Sequence, residues 1–301
     1  MEVLLLSTAL GTVITAMVTP FDEGGEVKYS TAAELARYLV DHGSTGLVVS
    51  GTTGESPTLT GAEKLKLFRV VVEAVGGRAA VIAGTGDNCT AASMRLTREA
   101  ASTGVDGILL VTPYYNKPTQ EGLYRHFRAV AEATALPVML YNVPGRTGVN
   151  LHVETVLRLA EIENIIALKE ASGNLEQAAE ICAQAPPGFS LYSGDDALTL
   201  PLLSLGAVGV VSVASHLVGP QIAAMIECFK QGRVVEATRL HLALLPLFKG
   251  LFVAANPIPV KAALNLVGID VGRPRLPLLP LTGKDLAGLT RLLHLCDLAG
   301  A

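Results

Sequence analysis

Residues 164–174 read NIIALKEASGN. Ile165, Ile166, Ala167 and Leu168 form an apolar run opened by β-branched residues, which reads as a short buried strand. Asn174, just past the run, is a residue type that caps a following helix. Between them stands Lys169, and an ammonium there is costly unless it is paired or has lost its proton.

The same unit recurs along the chain. Further strand-like runs lie at 13–21 (VITAMVTPF), 46–55 (GLVVSGTTGE), 79–86 (AAVIAGTG), 107–115 (GILLVTPYY), 137–145 (PVMLYNVPG), 190–196 (SLYSGDD) and 209–216 (GVVSVASH). A helix-like stretch follows each, and Thr31…Glu34 and Thr60…Glu63 both have the form of a capping box. Strands apolar on both faces, alternating with helices, indicate a parallel sheet covered by helices. Eight such repeats in about 220 residues match an α/β fold of the (β/α)8 TIM-barrel type. From about Val218 the sequence reads as helical, over 218–231, 233–253, 257–267 and 283–298. We therefore expect the barrel strands and helices in 1–217, and the last barrel helix plus a C-terminal helical extension in 218–301. A doubly wound sheet is the competing architecture, but it normally has fewer strands, and GTGDNC (84–89) lacks the third glycine of a dinucleotide loop.

Composition narrows the function. Half of the 301 residues are hydrophobic, and 27 acidic against 23 basic residues give a net charge of −4. Nothing favours nucleic acid or an anionic membrane as partner, and no apolar run is long enough to span a bilayer. Cys89, Cys182, Cys228 and Cys296 are far apart, which argues against a zinc site or disulfide framework and fits a reduced, cytoplasmic setting. His42, His126, His152, His216, His241 and His294 have no ligand spacing, so no catalytic metal is expected. The N-terminal MEVLLLSTALG is apolar but short, with Glu2 where an export signal carries a base, and is expected to pack on the fold.

In a barrel of this type the active site lies at the C-terminal ends of the strands. There the runs end in GTTGES, TPYYN, YNVPGRTG, KEAS and SGDD. Lys169 has two readings: a structural ion pair with Glu170 or Asp195, or a desolvated amine that attacks a carbonyl to form a Schiff base. Tyr141, one strand away, is either a core phenol or a general acid/base. Thr52 and Thr53, between Gly51 and Gly54, either satisfy a tight turn or present hydroxyls to a carboxylate. Arg146, read as a loop residue after Pro144 and Gly145, is either solvated or a bidentate carboxylate clamp. Tyr114 and Tyr115 at a strand exit suit an interface or core better than catalysis.

Taken together, GTTGESPTLT, VTPYYNKP, YNVPGRTG, ALKEASGN, YSGDD and NPIPVKAAL resemble, in order and over nearly the whole chain, the dihydrodipicolinate synthase/N-acetylneuraminate lyase family. The resemblance implies a cofactor-free class I aldolase chemistry in which pyruvate condenses with L-aspartate-4-semialdehyde to 4-hydroxy-tetrahydrodipicolinate, the first step of the lysine and diaminopimelate branch. It implies that Lys169 forms the imine, that Tyr141, Thr52 and Tyr115 relay protons, and that Tyr115 does so in a neighbouring subunit's site. It further implies that Thr53 holds the pyruvate carboxylate, that Arg146 binds the semialdehyde carboxylate, and that Gly194 and Val211 line the pocket. A homotetramer built as a dimer of dimers is implied too. The rivals are a family lyase acting on N-acetylneuraminate or a keto-deoxy sugar acid, and a catalytically idle barrel that binds keto acids or acts as a sensor. In relatives inhibited by L-lysine, the effector pocket has histidines at the places of Gly61 and Lys64 and glutamate at that of Ala92. The resemblance therefore implies weak or absent lysine inhibition here; if Lys64 points to solvent, only the missing acid counts.

Overall fold

In a computed structural model, residues 10–296 and 298 are described. Residues 1–9, most of the apolar lead-in, lie outside them. Eight parallel strands close into one barrel in chain order. They are β1 (Val13–Ala16), β2 (Gly46–Val49), β3 (Ala80–Gly84), β4 (Gly107–Val111), β5 (Val138–Asn142), β6 (Ile165–Glu170), β7 (Ser190–Ser193) and β8 (Gly209–Ser212). Each lies in the early part of one of the expected runs, and the remainder of each run lies at the C-terminal mouth, as loop or as the start of a helical turn.

The helices are α1 (Tyr29–Asp41), α2 (Gly61–Val75), α3 (Thr90–Ala101), α4 (Gln120–Ala131), α5 (Pro144–Thr147), α6 (Val153–Ala160), α7 (Leu175–Gln184), α8 (Thr199–Ser204), α9 (Ser215–Lys230), α10 (Val234–Gly250), α11 (Ile258–Leu266) and α12 (Gly283–Leu295). Thr60 and Glu63 form the expected capping box, and the Asn174 side chain accepts from Gln177 N to start α7. Thr31 does not cap. Helix α1 begins at Tyr29, and Ala32 N already donates to Lys28 O at 2.9 Å, so Thr31 lies within the first turn. Among the described residues no helix is long and apolar enough to cross a membrane.

Because side chains alternate along a strand, the barrel has two cores. An inner cluster gathers Ile14, Val48, Ile82, Leu109, Met139, Ala167 and Val211. An outer one packs Leu47, Leu110, Leu140, Leu168 and Val210 against the helices. Leu140 and Leu168 are wholly buried, and truncating either to Ala should cost about 2–5 kcal/mol. One irregularity breaks the alternation. Val138 pairs with Ile165 but Met139 pairs with Ala167, so Ile166 is an extra residue in β6. Beyond it the strands run in step, with Tyr141 opposite Lys169.

Candidate active site

Tyr141 and Lys169 continue the inner sets of β5 and β6, and both stand at the C-terminal mouth. The Lys169 Nζ lies 4.0 Å from the centroid of the Tyr141 ring. Lys169 is 5% exposed. Glu170, the next residue, points out of the barrel. Its carboxylate accepts from Asn142 Nδ2 (3.1 Å), Ser172 N (2.6 Å) and Gln177 Nε2 (3.2 Å). Asp195 accepts from Ala197 N at 2.9 Å and opens the short 3-10 turn Asp196–Leu198. Neither acid is the ion-pair partner that the structural reading of Lys169 required: among the described residues no carboxylate oxygen lies within 4.0 Å of its ammonium.

Burial without a partner has the expected electrostatic result. Desolvation lowers the Lys169 pKa from the ordinary 10.5 to about 7. The Asp196 carboxylate opposes that fall and the Arg146 guanidinium adds to it. Asp196 is itself buried; it accepts from Ser212 Oγ, Val213 N (3.0 Å) and Ala214 N (2.9 Å), which offset part of a rise caused by desolvation. Burial raises the Tyr141 phenol, while Arg146 and then the Thr52 hydroxyl pull it down. The site thus pairs an amine near neutrality with a phenol kept protonated, a combination suited to nucleophilic attack and proton transfer.

A cavity of about 180 Å³ opens beside the amine, lined by Lys169, Tyr141, Thr53, Arg146, Gly194 and Asn256 among others. Gly194 makes room for it: a Cβ there would come within 2.7 Å of Ala171 Cβ and 3.1 Å of Lys169 Cγ. The Thr53 hydroxyl oxygen accepts from Asn256 Nδ2 at 2.9 Å. A second cavity, of about 370 Å³, shares Tyr141, Val143 and Arg146 with the first and adds Thr52, Ser56, Lys64 and Tyr114.

The structure therefore gathers Lys169, Tyr141, Thr53, Arg146 and Gly194 around one cavity, with Thr52 in the adjoining one. Val211 is not among the lining residues; it is buried in the inner cluster, and Val213, beyond β8, lines the cavity instead. Arg146 is not on a loop. It sits in the one-turn helix α5, started by Pro144 and ended by Gly148 at φ 75°. Thr112 Oγ1 donates to Thr147 Oγ1 at 3.1 Å, tying that turn to the β4 loop. Tyr115 lies in neither cavity. Its backbone is left-handed (φ 74°), its N–H donates to Thr147 O at 3.2 Å, and the residue is 88% exposed. Lys64 does not point to solvent: it is 9% exposed and lines the larger cavity near Asp87, whose charge only partly offsets the lowering of its pKa by burial.

Asn256, Asp196 and Val213 escaped the sequence reading. Asn256 opens NPIPVK, a segment remote from every strand end, and only tertiary packing brings it to the site. Asp196 was visible in SGDD, but nothing local distinguishes it from Asp195.

Residues 9–295 match the Dihydrodipicolinate synthetase family. A 4-hydroxy-tetrahydrodipicolinate synthase of Halalkalibacterium halodurans is 58% identical over 276 residues, covering 92% of this chain and 94% of the relative. A protein of the same name from Cyanothece sp. is 61% identical over 272 residues, covering 90% and 92%. A crystal structure of the dihydrodipicolinate synthase of Cyanidioschyzon merolae with lysine bound superposes with a TM-score of 0.95 at 55% identity, covering 96% of this chain and 99% of that one.

Proposed function

The chain belongs to the dihydrodipicolinate synthetase family, and on that premise we propose that it condenses pyruvate with L-aspartate-4-semialdehyde to 4-hydroxy-tetrahydrodipicolinate through a Schiff base on Lys169. The enzyme is a lyase of the lysine and diaminopimelate branch, and relatives about 57–61% identical bear that synthase's name rather than that of a sugar-acid lyase. One observation supports the choice of residue above the rest: Lys169 is buried, has no ion-pair partner among the described residues and lies against Tyr141.

Neutral Lys169 attacks C2 of pyruvate, and water leaves as the iminium forms. The iminium acidifies the methyl group; a proton departs and an enamine results. The enamine carbon attacks the aldehyde carbon of the second substrate, forming the new C–C bond as the aldehyde oxygen takes up a proton. The amine of the former semialdehyde then attacks C2, the ring closes and Lys169 leaves as the free amine. The iminium is its own electron sink, so the steps need no further group. Tyr141 and Thr52 carry protons to and from these centres, and Tyr115 of the partner subunit completes the relay. Thr53 holds the pyruvate carboxylate. Gly194 leaves space for the imine, and Val211 supports the apolar floor from inside the barrel. Arg146, exposed at the mouth, pairs with the carboxylate of the semialdehyde. The assembly is a homotetramer, a dimer of dimers, working in the cytoplasm; the exposed Tyr115 ring supports a contact between subunits.

Borohydride added with pyruvate should attach a stable mass at Lys169 and none in Lys169→Ala. Labelling of the Ala variant to the wild-type extent would remove the assignment. Turnover of pyruvate with aspartate semialdehyde, compared with pyruvate and N-acetylmannosamine, tests the substrate.

A further inference from the structure

The loop after β2 carries Thr52 and Thr53, and its backbone is strained. Ser50 (φ 56°) and Glu55 (φ 57°) are both left-handed without being glycine. Such residues persist only where their surroundings hold them. Within the loop, Glu55 N donates to Thr52 O (3.1 Å) and Ser56 N to Gly51 O (3.2 Å). Thr19 Oγ1 donates to Gly54 O at 2.7 Å, and further restraint comes from the far end of the sequence. Glu55 Oε1 accepts from Lys261 Nζ at 2.7 Å, and both side chains are 1% exposed. Glu55 Oε2 accepts from Arg275 N at 2.8 Å. Lys261 Nζ also donates to Arg273 O (3.1 Å) and stands over the Phe21 ring. Arg275 Nη1 donates to Thr58 O at 2.7 Å, reaching the end of the same loop. At the loop's centre, Asn256 Nδ2 donates to Thr53 Oγ1. With a lone pair of that hydroxyl occupied from behind, its hydrogen is left to donate elsewhere, which is what a carboxylate ligand requires.

A buried ion pair of this kind is weak evidence for stability, because desolvation offsets its attraction. Its position suggests another purpose. We propose that Glu55, Lys261 and Asn256 are positioning residues for pyruvate: the segment 256–275, outside the barrel, clamps the threonine loop so that the Thr53 hydroxyl faces the substrate carboxylate. This rests on the function proposed above, in which Thr53 holds that carboxylate.

Two variants separate positioning from folding. Asn256→Ala removes the donor to Thr53 and strands no charge. Glu55→Gln combined with Lys261→Met removes both buried charges together, so neither is left unpaired. Misplacing a binding group by about 1 Å can cost on the order of a hundredfold in rate, so a change of about fivefold or more is the threshold. Asn256→Ala should raise the pyruvate KM by at least about fivefold while the semialdehyde KM stays within about twofold. The double variant should lose at least about fivefold in kcat/KM for pyruvate, and in the initial rate of borohydride-trapped adduct, although its melting temperature exceeds that of Lys261→Met alone. Changes below that threshold in Asn256→Ala overturn the proposal, and they do so whether or not the double variant folds. The wild type run alongside keeps the two ideas apart. If it forms no pyruvate adduct, the function fails; if it does so while Asn256→Ala matches it, only the clamp fails.

Discussion

Lys169 should set the pH dependence of imine formation. With its pKa near 7, the reactive neutral amine makes up about one tenth of molecules at pH 6, half at pH 7 and nine tenths at pH 8. An exposed lysine of ordinary pKa would be neutral in only about one molecule in 3000 at pH 7. The rate of adduct formation with saturating pyruvate should therefore climb roughly tenfold between pH 6 and 8 and then level off. The assay is rapid mixing with pyruvate, timed quenching in borohydride and intact-mass quantification. The Arg146 cation depresses Lys169, so Arg146→Gln should move the rising limb to higher pH. A rate that keeps climbing by about a decade per pH unit through pH 9 would mean that Lys169 titrates like a solvated amine. A limb that moved to lower pH in Arg146→Gln would refute the electrostatic account.

Tyr141→Phe and Thr52→Val keep shape but remove a hydroxyl each, and steady-state turnover should fall by roughly 10²–10⁴ with little change in melting temperature; near-normal turnover in Tyr141→Phe would make the phenol structural. Arg146→Ala should weaken use of aspartate semialdehyde more than use of pyruvate, read as the two KM values, and a change confined to pyruvate would place the guanidinium in the other half of the site. Lys169 has a lower pKa folded than unfolded, so its proton opposes folding most strongly below about pH 7, and the penalty fades as pH rises toward 10.5. Lys169→Met should therefore raise stability at pH 6–7, on the order of 4 kcal/mol before repacking losses, with a smaller gain near pH 10; denaturant melts at both values check it, and a loss at pH 6 contradicts it. Finally, initial rates titrated with L-lysine should show weak or no inhibition, because Lys64 lines the larger cavity and the place of the family's effector-binding acid holds Ala92; strong inhibition below about 1 mM would defeat the charge argument.

The barrel was readable because most strand residues are apolar on both faces and most polar ones stand at the mouth, Thr15 in β1 and Ser190 at the start of β7 being exceptions. That pattern located Lys169 and Tyr141 before any contact was known. Arg146 was misplaced on a loop although Pro144 and Gly148 bracket a helical turn, the usual arrangement of proline inside the start and glycine past the end. Thr31…Glu34 has the letters of a capping box, but the chain turns helical too early for it to act. The pairing of Glu55 with Lys261 leaves no local trace, since 206 residues separate them. Val211 and Val213 lie on the same side of any alternating pattern, and only the depth of the cavity distinguishes them. The extra residue in β6 was invisible for a simpler reason: Ile165 and Ile166 are alike, so no contrast marks which one is surplus.

That surplus residue gives the strand slack in one direction. Deleting Ile166 would restore plain pairing, with Ile165 opposite Val138 and Ala167 opposite Met139, and would leave Leu168 toward the helices and Lys169 in the barrel. An added residue has no such outlet: unless it forms a second bulge, it would turn the side chains beyond it to the other face, Lys169 among them. Loss of one residue before Lys169 should therefore be tolerated in β6, and gain of one should not. The amine keeps its address by its rung opposite Tyr141, not by its distance from the start of the strand.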